Sequence, residues 1–178
     1  MSIYVIRHGQ TDWNIENRLQ GQSESLLNDT GIAQANMAKI KLANIDFDLI
    51  ISSSSKRAIS TTNIINSDKN TSVKLDKRLL ERSYGNLEGL YGNQINISEL
   101  WSLNSPTKNP TVETIDSLFS RVTSLLDELK NSYKNEQILL STHSGTSIAI
   151  SCYFNDIPKD GNLLNLGLKN CAFIKYDF

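Results

Sequence analysis

Short apolar runs alternate with helix-length segments along this chain, and that alternation is the strongest constraint on its fold. Runs rich in β-branched residues occupy positions 3–6, 46–51, 72–75, 138–141 and 172–176. Helical segments are predicted at positions 30–45, 56–65, 116–133 and 147–154. This order favours a mostly parallel sheet that is covered by helices on both faces. The last run alternates apolar and polar residues, which predicts a strand at one edge of the sheet.

The length and charge of the chain limit the kind of protein further. With 178 residues it is predicted to form a single domain, residues 1–178, with a large core. A net charge of −1 argues against a nucleic-acid partner. The apolar runs are too short to span a bilayer and no signal peptide is visible, so we expect a cytoplasmic protein without a membrane partner. Its two cysteines are expected to be reduced thiols. The sequence leaves open whether it is a monomer or a homodimer.

The chain contains two histidines, and each follows a predicted buried strand. Arg7 precedes His8 and a glycine follows it, whereas His143 is followed by a serine and a glycine. In an α/β protein the carboxyl end of a strand is where side chains meet ligand rather than core. Arginine presents a planar fork to phosphate or carboxylate oxygens. The pair therefore indicates a site for an anionic ligand, although a lone histidine at a strand end is more often a buried structural residue.

Two further segments carry candidate site residues. In Ser-Ser-Ser-Ser-Lys-Arg-Ala at 52–58, Arg57 enters the first turn of a predicted helix, where backbone N–H groups favour anions. The serines of this segment are predicted to cap that helix. The segment 80–89 places Glu81 and Glu88 around a glycine. Each of these charged residues, taken alone, is more simply explained as a solvent-exposed surface charge.

Together the four segments resemble the histidine phosphatase superfamily of phosphoglycerate-mutase-like proteins. The resemblance rests on Arg-His-Gly-Gln-Thr-Asp-Trp-Asn at 7–14, Arg-Leu-Gln-Gly at 18–21, Ser-Ser-x-x-x-Arg-Ala at 52–58, Glu-x-x-x-Gly-x-x-Glu-Gly at 81–89 and the late histidine. A lone Arg-His-Gly is a weak signal, whereas the ordered set is specific and covers nearly the whole chain. The resemblance implies an α/β fold: a three-layer α/β/α sandwich, mostly parallel, with an antiparallel edge strand.

The resemblance also implies a covalent phosphohistidine mechanism. His8 is expected to be the nucleophile, and Glu81 the general acid and then the general base. The implied catalytic set is His8, Glu81, His143, Arg7 and Arg57. The residues expected to bind phosphate or substrate are Arg7, Asn14, Gln20, Gly21, Arg57, Glu81, His143 and Ser144. No metal or other cofactor is expected, because both histidines are committed and the carboxylates do not cluster.

The chain departs from the family pattern at two places. Ser144 stands where the family often carries glycine, and a serine is small enough to keep its backbone N–H near phosphate. Val-Glu-Thr at 112–114 stands where the family often carries Gly-Glu-Ser, which leaves the conformation of the preceding segment open. We predict that this variable segment, residues 89–112, covers the site.

The covering segment decides between the activities found in this family. Because it is short, water is expected to reach the phosphohistidine, which favours hydrolysis over return of the phosphoryl group to substrate. We therefore predict a phosphomonoester hydrolase that acts on a small phosphorylated metabolite. It would belong to the branch that includes broad-specificity and alpha-ribazole phosphatases. The alternatives are a cofactor-dependent phosphoglycerate mutase and an inactive family member that binds a phosphorylated ligand.

Overall fold

The computed structural model describes residues 1–104 and 108–178, and its centre is a five-stranded sheet. The strands are β1 (Ser2–Arg7), β2 (Leu49–Ser52), β3 (Val73–Leu75), β4 (Gln137–Thr142) and β5 (Phe173–Asp177), in the order β3-β2-β4-β1-β5. The pairings among β1 to β4 are parallel, and β5 runs antiparallel to β1 at one edge. The predicted mostly parallel sheet with an antiparallel edge strand is confirmed.

Helices cover both faces of this sheet. They are α1 (Asp12–Ile15), α2 (Asp29–Lys41), α3 (Lys56–Asn66), α4 (Ile97–Leu100), α5 (Ile115–Ser132) and α6 (Ser144–Phe154). Side chains alternate along β1: Ile3 and Val5 join the apolar cluster of α5 and α6, whereas Tyr4 and Ile6 join that of α2 and α3. These two clusters make the predicted three-layer sandwich. Within residues 1–104 and 108–178, no helix has the length and apolar composition needed to cross a membrane.

The start of α5 is where the chain departs from the family pattern, and local bonds define it. Thr114 is the N-cap residue, and its side chain accepts the backbone N–H of Ser117 at 3.1 Å. Glu113 binds the guanidinium group of Arg121 at 2.7 Å and accepts the backbone N–H of Ser83 at 3.1 Å. Threonine thus supplies a capping hydroxyl at the position where the family often has serine.

The described part of the covering segment rests against the loop before β5. Leu100 and Trp101 are both buried. The backbone N–H of Leu103 donates to the carbonyl of Gly161, and that of Leu163 donates to the carbonyl of Trp101, each at 3.0 Å. Residues 105–107 of the segment lie outside the described residues. These contacts fix Trp101 over the carboxyl ends of the strands.

Candidate active site

A cavity of about 150 Å³ opens at the carboxyl edge of the parallel strands. Arg7 pairs with Thr142 in the sheet and Ser52 pairs with Ser141, so the residues that follow β1, β4 and β2 meet there. The rings of His8 and His143 lie edge to face, with centroids 5.1 Å apart. The predicted site residues that line the cavity are Arg7, His8, Asn14, Gln20, Gly21, Arg57, Glu81 and Ser144. His143 packs against His8 and is not itself part of the cavity lining.

His8 is buried and held in one tautomer. Its Nδ1 lies 2.7 Å from the carbonyl oxygen of Gly9, a contact that requires the proton on Nδ1. Its Nε2 accepts the Nε–H of Arg57 at 3.2 Å. Burial lowers the pKa of His8 well below its usual value, and the charges of Arg57 and Arg7 lower it further. The ring is therefore neutral, with its lone pair on Nε2.

Arg57 is only 1% exposed, which excludes the interpretation of this residue as a surface charge. Its Nη1 and Nη2 donate to the carbonyl oxygens of Ser23 and Gly21 at 2.8 and 2.6 Å. Glu88 holds the same loop by accepting the backbone N–H groups of Gln22 and Ser23. Gly21 has a φ of +54°, and a Cβ there would lie 2.1 Å from Glu88 Oε1. Only glycine fits this position, so the loop that orients Arg57 depends on it.

Two buried side-chain nitrogens near the cavity lack a hydrogen-bond partner among the described residues: Arg7 Nε and His143 Nδ1. Arg7 uses Nη1 to donate to the carbonyl of Leu168 at 2.9 Å. His143 Nε2 lies 2.8 Å from Ser53 Oγ and 3.3 Å from Ser55 Oγ. Burial and nearby positive charges lower the pKa of His143 well below its usual value, so this ring is neutral too. Unpaired buried nitrogens are rare, and an anion would satisfy both.

Glu81 is 8% exposed and therefore is not a surface charge. Its Oε1 accepts the backbone N–H of Arg82 at 2.8 Å, and its Oε2 accepts that of Gly145 at 3.0 Å. A Cβ at Gly145 would lie 2.3 Å from Glu81 Oε1 and 2.7 Å from Trp101, so any larger residue would displace one of these side chains. Arg121, which does not line the cavity, donates to the backbone carbonyl oxygen of Glu81 at 3.1 Å. The carboxylate is thus fixed between two chain segments.

Two side-chain amides line the cavity, and their NH₂ groups have no hydrogen-bond partner within residues 1–104 and 108–178. Asn14 Oδ1 accepts the backbone N–H of Thr11 and the Nδ2–H of Asn170, each at 3.1 Å. Gln20 Oε1 accepts the hydroxyl of Ser25 at 2.8 Å. Because each carbonyl oxygen is occupied, each amide nitrogen remains to donate to a ligand.

Several residues at the site were missed by sequence reasoning. The serines at 52–55 were predicted to cap α3, but Ser55, its N-cap residue, makes no side-chain cap bond, and Ser53 and Ser55 instead contact His143. Helix α6 begins at Ser144, three residues earlier than predicted, directly after His143. The remaining cavity wall was not among the predicted binding residues and consists of Arg18, Leu19, Tyr84, Trp101, Gly145, Ile148 and Leu164.

The site combines a neutral histidine whose lone pair lies on Nε2, a fixed carboxylate, and arginines that bond to backbone carbonyl oxygens. Preorganised donors of this kind stabilise the charge of a transferring phosphoryl group. No group of three metal-ligating side chains occurs in the part of the chain that the structure describes. Fold and site together define a class of α/β protein in which two strand-end histidines, two buried arginines and a carboxylate meet at one cavity.

Comparison with known proteins gives the family. A model of the histidine phosphatase superfamily (branch 1) matches residues 3–178, and the chain belongs to this family. The "Uncharacterized phosphatase PhoE" of Bacillus subtilis is 29% identical over 178 residues, which cover 99% of this chain and 88% of that protein. The "Probable phosphoglycerate mutase GpmB" of Escherichia coli is 29% identical over 187 residues, covering 100% of this chain and 85% of that protein.

A solved structure extends the likeness to the whole fold. The mycobacterial glucosyl-3-phosphoglycerate phosphatase matches with a TM-score of 0.84 at 26% identity, covering 98% of this chain and 91% of that one. The family, the fold class and the enzyme class predicted from the sequence, a phosphatase of this superfamily, are confirmed.

Proposed function

We propose that this protein is a metal-independent phosphomonoesterase that hydrolyses a small phosphorylated metabolite through a phosphohistidine at His8. The observation that carries the proposal is the state of His8. Its Nδ1 is bound to the carbonyl of Gly9 at 2.7 Å, so the lone pair lies on Nε2. Burial and the neighbouring arginines keep the ring unprotonated. A histidine attacks phosphorus only as the free base, and this ring is held in that form.

In the first step, Nε2 of His8 attacks phosphorus in line with the ester oxygen. The N–P bond forms as the P–O bond breaks, and the protonated carboxyl of Glu81 gives its proton to the leaving oxygen. Arg57 contacts Nε2 in the free protein at 3.2 Å, so its N–H groups lie next to the phosphoryl oxygens once the N–P bond exists. The Nε–H of Arg57 leaves the Nε2 lone pair as the N–P bond forms, and the guanidinium group then stabilises charge on those oxygens.

In the second step, water attacks the phosphohistidine. The carboxylate of Glu81 takes a proton from the water, the N–P bond breaks, and its electron pair returns to Nε2 as phosphate leaves. Glu81 is then protonated for the next cycle. Acid and base must act on the same side of phosphorus, and the N–H groups of Arg82 and Gly145 hold the Glu81 carboxyl group in one position.

The remaining predicted site residues hold the phosphoryl group. The buried Nε of Arg7 and Nδ1 of His143 have no partner among the described residues, and we assign both to the phosphoryl oxygens. The free amide nitrogens of Asn14 and Gln20 add neutral donors. Gly21 and Ser144 contribute backbone to the same cavity. Removal of one such donor typically lowers the rate about 10²–10³-fold.

The central test is hydrolysis of p-nitrophenyl phosphate in EDTA by the wild type, His8→Asn and His143→Gln. We expect turnover without added metal, no turnover in His8→Asn, and slow turnover in His143→Gln with an acid-labile phosphoenzyme still formed. Because the chain has two histidines, the site of labelling is decided by these two variants. A metal requirement, or a phosphoenzyme that persists in His8→Asn, would contradict the mechanism.

A mutase is the second candidate, favoured by the likeness to the Escherichia coli protein named as a probable phosphoglycerate mutase. The two activities differ in the fate of the phosphoryl group. With 3-phosphoglycerate and a 2,3-bisphosphoglycerate primer, we expect release of free phosphate. Formation of 2-phosphoglycerate faster than phosphate would select the mutase, and binding without either product would select an inactive binder.

We further propose that residues 1–178 act as one cytoplasmic domain, with residues 89–112 as its cover and no nucleic-acid or membrane partner. Pairing of Ser2 with Asp177 supports the single domain, because it joins segments that are far apart in sequence in one sheet. Denaturation by urea in a single transition, followed by both tryptophan fluorescence and circular dichroism, is the expected result.

A further inference from the structure

Arg18 lines the cavity, yet the proposed phosphoryl chemistry makes no use of it. It begins the Arg-Leu-Gln-Gly motif at 18–21, of which Gln20 and Gly21 were predicted to bind phosphate. Arg7 and Arg57 already supply the phosphoryl group with two guanidinium groups. A third arginine on the same cavity wall is therefore available to another part of the substrate.

The guanidinium group of Arg18 is held in a fixed plane. It lies 4.3 Å from the ring centroid of Trp13 and 5.4 Å from that of Tyr91. Its Nε donates to the carbonyl of Gly89 at 2.8 Å, and its backbone forms an isolated bridge with Tyr91. Gly89 has a φ of +86°, and a Cβ there would lie 3.3 Å from Arg18 Nη2. Stacking and this backbone bond position the group before any ligand arrives.

The terminal nitrogens of Arg18 are only weakly engaged. Nη1 lies 3.3 Å from an oxygen of Glu16, and the two side chains are 29% and 43% exposed. An exposed ion pair of this length contributes little, so a ligand anion can displace it. The fork of an arginine matches the two oxygens of a carboxylate and gives a charge-assisted pair.

Apart from Arg7, Arg57 and Arg18, the residues that the structure describes in this lining add no further positive side chain. Apolar surface comes from Leu19, Trp101, Ile148 and Leu164. A substrate in this cavity therefore meets cations at two places: the phosphoryl site beside His8, and the edge formed by Arg18. A phosphomonoester with a second anionic group matches this distribution of charge.

We propose that Arg18 determines specificity by binding a carboxylate of the substrate, so that the preferred substrates are small phosphomonoesters that also carry a carboxylate. The proposal rests on the phosphatase function proposed above. It excludes a purely structural role for Arg18, in which the arginine only joins the loop at 17–19 to residues 89–91.

Two pairs of esters test the proposal, because the members of each pair differ at one group. O-phosphoserine carries a carboxylate that O-phosphoethanolamine lacks, and 3-phosphoglycerate has one where glycerol 3-phosphate has an alcohol. For the wild type we expect kcat/KM to favour the carboxylate member about tenfold. Arg18→Gln should bring that ratio close to one, and Arg18→Lys should retain part of it because charge remains without the stacked fork. Lys41→Gln, an exposed residue of α2, is the control for loss of one positive charge and should keep the wild-type ratio.

The ratio separates the two roles of Arg18. If Arg18→Gln lowers kcat/KM equally for both members, the residue is a structural clamp and the proposal is wrong. A wild type that does not discriminate within either pair refutes it as well. If no ester is hydrolysed, the phosphatase proposal fails. In that case the dissociation constants of the two members of each pair are measured by calorimetry and compared. A tenfold difference between these dissociation constants in the wild type, lost in Arg18→Gln, would still support the carboxylate site. Equal dissociation constants in the wild type would overturn it.

Discussion

Replacement of Ser53 by alanine tests how the site holds His143. The Ser53 hydroxyl lies 2.8 Å from Nε2 of a ring that is fully buried and neutral. If the hydroxyl donates to Nε2, the ring proton must lie on Nδ1, the nitrogen with no partner among the described residues. The serine therefore selects the tautomer that presents an N–H to the phosphoryl group. Ser53→Ala removes this selection and leaves the ring in place.

The expected effect follows from the geometry. A buried acceptor left without its donor costs about 1–3 kcal/mol. Ser55 Oγ stays 3.3 Å from the same nitrogen and retains a weak bond, so we expect the lower end, about 1 kcal/mol. For a chain of this size that lowers the melting temperature by about 2–4 °C. The same energy changes the tautomer ratio about fivefold, and kcat should fall by a similar factor.

The assay uses the scarcity of histidine. With ¹⁵N-labelled histidine, a long-range ¹H–¹⁵N spectrum contains the signals of two imidazoles, and each shows which nitrogen carries the proton. We expect the signals of His143 to shift in Ser53→Ala while those of His8 keep the pattern of a ring protonated on Nδ1. Ser55→Ala, which removes the longer contact, is the matched control and should have a smaller effect on both stability and spectrum. Wild-type stability together with unchanged His143 signals in Ser53→Ala would refute the tautomer argument.

Three other perturbations test the site in different ways. Gly145→Ala should lower kcat on p-nitrophenyl phosphate about 100-fold with an unchanged circular dichroism spectrum, because the new methyl group displaces Glu81; wild-type kcat would contradict the close contact. Glu88→Gln should lower the free energy of unfolding in urea by about 1–2 kcal/mol, because the Glu88 carboxylate accepts hydrogen bonds from Gln22 and Ser23. An unchanged urea midpoint would show that these bonds do not stabilise the fold. Between pH 7.5 and 5.5 the free energy of unfolding should fall by about 1 kcal/mol for each of His8 and His143. The unfolded chain takes up protons below pH 6.5, whereas burial keeps the folded rings unprotonated, so equal stability at the two pH values would contradict the lowered pKa values.

The parts of the fold that sequence predicts well are those encoded by local pattern. The run at 3–6 has the continuous apolar character of a strand buried on both faces, and β1 lies between β4 and β5 with its central residues buried. The meeting of the two histidines could also be predicted, because parallel strands end at one edge of a sheet and bring the residues that follow them together. The structure places the ring centroids of His8 and His143 only 5.1 Å apart although the residues are far apart in sequence.

The residues that sequence missed are those whose role depends on a distant partner. A serine before a helix is a good cap by local pattern, and nothing in residues 52–55 shows that Ser53 contacts a histidine 90 positions away. Glu88 and Arg18 resemble solvent-exposed charges until the loop contacts at residues 21–23 and 89 are known. Helix propensity, hydrophobic period and charge carry no information about such contacts, because they describe neighbours along the chain.

The partners of the arginines show how a protein with a net charge of −1 can build a strongly cationic site. Away from the cavity, Arg78 and Arg121 pair with carboxylates at 2.7–2.8 Å, which cancels their charge locally. In the cavity, Arg7 and Arg57 donate instead to backbone carbonyl oxygens, which add no opposing charge, and Glu81 offsets only part of the positive charge. Arg18 is intermediate, with one carbonyl and one weak contact to a carboxylate. Because the remaining positive charge costs free energy in a buried site, we expect the proposed phosphoryl ligand to stabilise the fold, and a phosphate analogue should raise the melting temperature of the protein.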